Sequence, residues 1–552
     1  MKKTRILTCI LACVCSLFMA CAASSEIQST QATTRGAFFL VGIGPGDADL
    51  LTAKALSTIQ SADVVFCSAD IRERLSSLVD VNRKQVFDGF QGLGSFYRQD
   101  CNALAEDQRK KNGIPCETYQ GKQAELAEIV RKGVAEGKKM AFLSPGDPTL
   151  YGADAWTLQE LADLNPSVVP GLSAFNAANA VLRAGLGEVI LTTPFCGDDA
   201  EQQKDTLENL ARYDKATLVI FVPGDMAYLV KRLSASFPSD TPVAVVNHAG
   251  QQEKTGVYVG TIGDLKQKSP VQGTGFYLLY VGKALKDAPY RAAFADKVKG
   301  SGKFYLVGTG PGDPDLATLR ALEVIQKADL VFASEKLSDR FQKELSGKEV
   351  IFGFHRLFPF YGKSCSEVSD AEKKKEKMSC DEFHRKQAEF AARVRKAVAE
   401  GKTVVMMDSG DPLVYGPSSW TLQELKDVDT EVVPGLSCFN AANAALAQGI
   451  ADDRRFHSVV LASGWSVEEM APLQCTMALF TMRTEFKKFI DILSAHYPPD
   501  TPVAIVSSAG YAGREMVSKR RLSGLMGQEA TENLPFEYMI YIGDSLDVGA
   551  ER

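Results

Sequence analysis

The chain of 552 residues repeats itself motif by motif and in order. Phe39-Leu40-Val41-Gly42-Ile43-Gly44-Pro45-Gly46-Asp47 returns as Tyr305-Leu306-Val307-Gly308-Thr309-Gly310-Pro311-Gly312-Asp313. Ser144-Pro145-Gly146-Asp147-Pro148 returns as Asp408-Ser409-Gly410-Asp411-Pro412, Trp156 to Leu161 as Trp420 to Leu425, and Val168 to Ser173 as Val432 to Ser437. The offset is 266 positions at the first motif and 264 at the later ones, so a two-residue indel separates the copies. Such a period is far beyond the roughly 20–50 residues of a solenoid unit and implies a duplicated domain. Copy one is expected over residues 36–290, a polar linker over 291–302, and copy two over 303–552.

Within a copy, short apolar runs alternate with helical spacing. Phe38 to Val41, Asp63 to Cys67 and Met140 to Leu143 read as strands. Leu50 to Gln60 and Gln123 to Glu136 read as helices, the second with Lys and Glu on its open face. Strands alternating with helices predict a mostly parallel sheet covered on both faces. The later runs, Thr217 to Val222, Val243 to Val246 and Phe276 to Val281, are richer in strands and predict a second, mixed-sheet subdomain. The expected fold class is therefore α/β, with two subdomains in each of two tandem copies.

The N-terminus is a separate object. Lys2, Lys3 and Arg5 precede the apolar run Ile6 to Met19 and the small residues Ala20 to Ser25. This reads as a signal peptide over residues 1–23, too short to span a bilayer, followed by a Ser/Thr/Gln-rich tether over 24–35. Two endings stay open. Leu17-Phe18-Met19-Ala20-Cys21 resembles a lipoprotein box, with Cys21 lipidated and the exported protein held at a membrane. The other ending is plain cleavage after a small residue, which leaves the protein free outside the cytoplasm.

Four of the twelve cysteines, Cys9, Cys13, Cys15 and Cys21, lie in this leader. Cys101 and Cys116 are matched at equal spacing by Cys365 and Cys380. In an exported chain these read as two disulfides, each worth about 3 kcal/mol on the chain-entropy model. A metal site is the competing reading, but a lone pair at this spacing lacks two further ligands. Cys67, Cys196, Cys438 and Cys475 read as small buried hydrophobes. The net charge is −6 with both signs interspersed, and no clustered basic face suggests a nucleic-acid partner.

Gly42-x-Gly44-Pro45-Gly46-Asp47 follows a strand and precedes a helix, the context of a nucleotide loop. Pro45 and Pro311 have no backbone N–H to give a phosphate, and no P-loop lysine follows. The loop suits a ligand without phosphates that needs close backbone approach. Gly-x-Gly-Pro-Gly-Asp, then Gly-Asp-Pro about a hundred residues on, then Pro-Gly-Leu-Ser, found twice in that order, resembles the tetrapyrrole (corrin and porphyrin) methylases over nearly the whole of both copies. The later strands Thr217-Leu218-Val219 and the run ending at Ala249, matched by Thr501 to Ala509, extend the likeness.

The resemblance implies a fold with S-adenosylmethionine in the cleft between the two subdomains of a copy, a tetrapyrrole as substrate, and two copies packed as an internal pseudo-dimer. Carried over by motif, the cofactor contacts in copy one would be Pro45, Gly146, Asp147, Leu150, Ser173, Ala174, Val222 and Ala249. In copy two they would be Pro311, Gly410, Asp411, Val414, Ser437, Cys438 and Ala509, with the counterpart of Val222 near Thr481 and Met482. The residues themselves allow a plainer reading, in which Gly-Asp-Pro is a turn and Ser173 and Ser437 are helix caps.

Some members that methylate uroporphyrinogen carry an Asp at the end of the second strand. Ser68 and Ser334 stand there in this chain, so no catalytic residue is assigned. The segments from Phe87 to Thr118 and from Ile351 to Glu382 look longer than the family's, and hold the cysteine pairs and the shared Phe96-Tyr97 and Phe360-Tyr361. They read either as stapled surface loops or as lids over a large flat ligand. His355 and His384 in copy two, where copy one has Gln91 and Gln120, read as ordinary histidines or as ligands of a tetrapyrrole metal. Two functions stand: an S-adenosylmethionine-dependent tetrapyrrole methyltransferase, or an exported, non-catalytic binding module on the same scaffold.

Overall fold

The computed structural model describes residues 36–193, 205–223, 226–267, 276–286, 302–451, 457–481, 485–527, 534 and 537–546. The leader with Cys21, the tether, most of the expected linker and Cys196 lie outside them. Residues from Gly36 onward form one compact unit. Among the described residues no helix is long and apolar enough to cross a membrane.

Copy one opens with β1 (Ala37–Gly42), β2 (Val64–Phe66), β3 (Gln85–Phe87), β4 (Lys139–Ser144) and β5 (Ser167–Val169). They form an all-parallel sheet in the order β3-β2-β4-β1-β5. The strands are short apolar runs because both faces are covered. Phe38, Leu40, Phe66 and Phe142 pack on one face, and Val41, Val65, Ala141 and Leu143 on the other. Helices α1 (Ala53–Ser61), α2 (Cys116–Ala135) and α3 (Ala174–Leu182) follow. Thr52 caps α1 by accepting from Ala55 N at 3.0 Å. α2 begins seven residues before the apolar spacing shows it, where Pro115 supplies the extended N-cap and Cys116 is tied to Cys101.

The second subdomain has β6 (Val189–Thr192), β7 (Thr217–Pro223), β8 (Pro242–Asn247), β9 (Gly256–Thr261) and β10 (Phe276–Val281). It is mixed: β6 pairs parallel with β7, and the other pairings are antiparallel. Copy two repeats the plan as β11 (Lys303–Gly308), β12 (Leu330–Phe332), β13 (Glu349–Ile351), β14 (Thr403–Asp408), β15 (Thr430–Val433), β16 (Val459–Ser463), β17 (Thr476–Thr481), β18 (Pro502–Ser507), β19 (Met516–Arg521) and β20 (Tyr538–Ile542). Its helices are α4 (Leu319–Lys327), α5 (Cys380–Ala399) and α6 (Cys438–Leu446).

The two mixed sheets are one. β6 runs antiparallel to β16 with Leu191 opposite Val459, Ile190 opposite Val460 and Val189 opposite Leu461. The result is a ten-stranded sheet, β9-β8-β10-β7-β6-β16-β17-β20-β18-β19, with a pseudo-twofold axis at its centre. The same axis relates Ala53 N donating to Ala317 O (3.1 Å) and Leu319 N donating to Leu51 O (2.9 Å). It also relates α3, which packs on β15, to α6, which packs on β5. One apolar core beneath the joint holds Leu182, Leu191, Tyr280, Leu446, Leu461 and Tyr541 from both copies. The copies thus form the internal pseudo-dimer the resemblance implied, by an isologous contact of a single chain with itself.

Candidate functional site

The motif glycines meet one another. Gly44 and Gly146 exchange backbone hydrogen bonds of 3.3 and 3.1 Å, and Gly310 and Gly410 do the same. A Cβ on Gly171 would stand 2.1 Å from Gly146 O, and one on Gly435 2.4 Å from Gly410 O. The three motifs are therefore one structure: the loop after the first strand, the turn after the fourth and the Pro-Gly before α3 or α6 touch by backbone alone. Gly46 and Gly312 carry φ of +72°, and a Cβ there would run into Gly250 or Gly510. Their close approach is to the second subdomain. Asp47 N donates to Gly250 O at 2.9 Å, and Asp313 N to Gly510 O at 2.9 Å, which closes each loop across the cleft floor.

The copy-two cleft encloses about 190 Å³. Pro311, Gly410, Asp411, Val414, Cys438 and Ala509 line it, six of the seven residues expected there. Thr481, the less certain counterpart of Val222, lines it too, and Met482 lies outside the described residues. Ser437 stands behind the wall. It caps α6, accepting from Asn440 N at 3.3 Å while Ser437 N donates to Asn440 Oδ1 at 2.9 Å. Ser173 and Asn176 repeat that capping box on α3. In copy one, Pro45, Gly146 and Asp147 hold the matching loop and turn positions. Leu150, Ala174 and Ala249 bank on the shared core beneath the cleft. Val222 lies in β7 opposite Tyr277, with its side chain outside the described residues.

The carboxylates of the Gly-Asp-Pro turns are engaged. Asp147 Oδ1 accepts from Thr149 N at 2.9 Å, and Asp411 Oδ1 from Leu413 N at 2.8 Å. Their other oxygens cross the axis. Asn440 Nδ2 donates to Asp147 Oδ2 at 2.7 Å, and Asn176 Nδ2 to Asp411 Oδ2 at 2.9 Å. Each cleft thus borrows an amide from the opposite copy's capping box. Burial holds the Asp147 carboxyl above the usual carboxylate range, and pushes Asp411 up to about 7 against the pull of the Leu413 N–H and the Asn176 amide.

His355, one of the two histidines noted in copy two, lines the copy-two wall. Arg356, Asp408, Tyr415, Tyr511 and Glu537, which sequence reasoning did not assign to the site, line it too. Burial, with Arg356 next, pushes the His355 imidazole down to about 4, so it is neutral near pH 7. Burial pushes Asp408 up to about 7, with Ser418 donating from its N–H at 3.2 Å. Copy one inverts this last pair: Ser144 donates to Asp154 Oδ2 at 2.8 Å, so the carboxylate sits on the neighbouring loop instead of the strand end. The Cys438 thiol is pushed up to about 12 by burial and is a neutral wall.

Arg340 holds the copy-two glycine loop through Gly312 O and Gly310 O, each at 2.9 Å, and Arg74 holds Gly44 O at 3.0 Å in copy one. Both arginines sit at the same repeat offset, a signal that was legible. Phe96 and Tyr97 pack against Tyr119 and Trp156, and Phe360 and Tyr361 against Phe383 and Trp420. These halves of the long segments are stapled to the core, while His355 and Arg356 bring another part of the copy-two segment to the cleft. Both expected disulfides are formed, Cys101–Cys116 and Cys365–Cys380, each with Cα atoms 5.8 Å apart. Cys67 and Cys475 are buried and Cys438 is partly exposed.

Fold and site define a duplicated, two-subdomain α/β protein whose copy-two cleft joins backbone turns and small apolar side chains to a rim of titratable and aromatic groups. The chain belongs to the tetrapyrrole (corrin/porphyrin) methylases, whose family model matches residues 37–266 and again 303–524. The cobalt-precorrin-4 C(11)-methyltransferase of Priestia megaterium is 29% identical over 44% of this chain and 89% of that protein. The uroporphyrinogen-III C-methyltransferase of Methanocaldococcus jannaschii is 28% identical over 42% of the chain and 90% of that protein. A siroheme synthase of Actinobacillus pleuropneumoniae serotype 7 is 31% identical over 48% of the chain, which spans half of that enzyme's length. Among solved structures, a cobalt precorrin-4 methyltransferase is 28% identical over 44% of this chain and 96% of that one, with a TM-score of 0.35. A Thermus thermophilus uroporphyrin-III C-methyltransferase complexed with S-adenosyl homocysteine is 22% identical over 45% and 96%, with a TM-score of 0.33.

Proposed function

We propose that the chain is an S-adenosylmethionine-dependent methyltransferase acting on a tetrapyrrole. The observation that carries this is the donor set of the copy-two cleft. Pro311 removes the N–H a phosphate would need, Val414, Cys438 and Ala509 give a neutral, small-residue wall, and Asp408 and Asp411 place two buried carboxyls beside it. That set fits a ligand with a cationic centre and an uncharged aromatic group. The names of the matched relatives, methyltransferases of cobalt-precorrin-4 and uroporphyrinogen III, support the tetrapyrrole as substrate class.

S-adenosylmethionine, when bound, supplies a methyl carbon on a cationic sulfur. The chain's part is position and exclusion of water. The paired loop and turn fix the cleft floor by backbone, Arg340 holds that loop, and Tyr415 Oη, donating to Leu461 O at 2.9 Å, ties the turn to the central sheet. His355, held neutral, can hydrogen-bond to a substrate, and Arg356 can meet a substrate carboxylate. In copy one, Gln91 and Ser144 replace His355 and Asp408, which favours a binding role for that cleft. We further infer export, from the charged start and apolar run that precede Cys21, with Cys21 lipidated as the first residue of the mature chain. Calorimetry of the full chain with S-adenosylmethionine is the test. Binding is expected, with Ala509→Trp removing it from copy two. Absence of any binding to the folded wild-type chain refutes the proposal.

A further inference from the structure

The second disulfide has a neighbour the first lacks. His384, one helical turn after Cys380 on α5, places Nδ1 3.6 Å from Cys365 Sγ. One ligand atom from each of Cys365, Cys380 and His384 lies within 4.8 Å of the other two. The imidazole is held by its other nitrogen: Nε2 lies 3.1 Å from the Phe360 carbonyl, an acceptor only, so Nε2 carries the proton. Nδ1 therefore presents a lone pair to a sulfur that, while the disulfide stands, has no proton to give.

Copy one shows what the fold alone requires at this place. Gln120 stands where His384 does, and its Nε2 donates to Phe96 O at 3.2 Å and to Gln99 O at 2.6 Å. Phe96 is the repeat partner of Phe360. An amide donor is thus enough to pin the stapled segment to the helix. Histidine keeps that donor and adds an aimed acceptor.

We infer that Cys365, Cys380 and His384 form, once the disulfide is reduced, a binding site for a zinc-type divalent cation with one coordination position left for water. The step balances with a dithiol reductant: its two thiols are oxidised to a disulfide, Cys365 and Cys380 become thiols, and metal binding releases two protons as they become thiolates. The geometry suits such an ion. A tetrahedral zinc with bonds of about 2.3 Å to sulfur and 2.0 Å to nitrogen sets its ligand atoms roughly 3.5–3.8 Å apart. The Cys365–His384 separation already matches, and opening the bond lets the sulfurs part. A ligating histidine that gives its second N–H to a backbone carbonyl is the usual outer-shell support.

Access agrees. A solvent-open hollow borders both cysteines, lined by Lys373, Lys374 and Lys377 together with Asp370, Glu376 and Asp381. Two thiolates, a neutral imidazole and a divalent ion sum to zero, so the filled site adds no net charge to this balanced surface.

The test is cobalt(II) titration of the full chain under argon, with and without prior reduction by tris(2-carboxyethyl)phosphine. Expected for the reduced chain is thiolate-to-cobalt charge-transfer absorption with visible bands of a four-coordinate ion, saturating at one equivalent. The oxidised chain should show neither. His384→Gln, which copies the residue copy one already tolerates, should weaken binding at least tenfold, and Gln120→His should create a second equivalent. No charge-transfer band in the reduced wild type, or equal affinity in His384→Gln, overturns the inference.

Discussion

Asn176→Ala tests whether the two clefts are held by one another. The side chain is 1% exposed and does two things. Its Nδ2 donates to Asp411 Oδ2 across the axis at 2.9 Å, and its Oδ1 accepts from Ser173 N at 3.3 Å within the capping box. Losing a donor to a buried ionised carboxylate costs about 1.5–3 kcal/mol, and losing the cap reciprocity about 0.5–1 kcal/mol more. The total at alkaline pH is about 3 kcal/mol. The sign of the pH dependence follows from Asp411, whose carboxyl is raised by burial to about 7 in the folded chain, against 3.8 when unperturbed. A raised acid binds its proton more tightly folded than unfolded, so its favourable contribution is complete below pH 3.8 and is lost as pH rises through 7. Removing the amide pushes Asp411 higher still and deepens that loss. The variant's deficit is therefore about 1 kcal/mol at pH 5, where the carboxyl is protonated, and about 3 kcal/mol at pH 8.5. Urea unfolding followed by the fluorescence of buried Trp156 and Trp420 measures it at both pH values. A deficit equal at the two values, or below about 1 kcal/mol at pH 8.5, would refute the reasoning.

Asp408→Asn removes a fully buried carboxyl that sits near 7, so it should raise the melting temperature at pH 8 and have little effect at pH 4, read by calorimetry across that range. Arg320→Ala breaks the pairing with Asp49, two contacts of 2.7 Å, and with Asp47 at 3.1 Å; with the guanidinium side chain only 12% exposed, a loss of about 1–3 kcal/mol is expected in urea unfolding. Val414→Trp should fill the copy-two cleft, abolishing its share of S-adenosylmethionine binding by calorimetry while copy-one binding persists.

The parallel sheets, the paired cysteines and the three glycine motifs were legible because each carries a local signature and appears twice. The joint was not. Val189 to Leu191 and Val459 to Leu461 are buried apolar runs, and such a run reads the same whether its neighbour comes from its own copy or the other. Asn176 and Asn440 were hidden for a related reason: an Asn three residues after a Ser announces a cap, while its second bond, to a carboxylate 235 or 293 positions away, has no sequence mark. Val414 and Ala509, named by motif, line the copy-two cleft, while Leu150 and Ala174 pack on the shared core. Asp408, Tyr511 and Glu537 were missed because the two copies differ there, and the repeat had drawn attention only to what they share.

Joining the halves in one chain removes a constraint that a homodimer cannot escape. When two identical chains meet on a twofold axis, every substitution is made on both sides at once, and each cleft inherits whatever suits the other. Here the axis is only approximate, so the serine and carboxylate at positions 144 and 154 could change places at 408 and 418 in one half alone. The fold keeps the mutual bracing of a symmetric pair and gains two independently adjustable interiors.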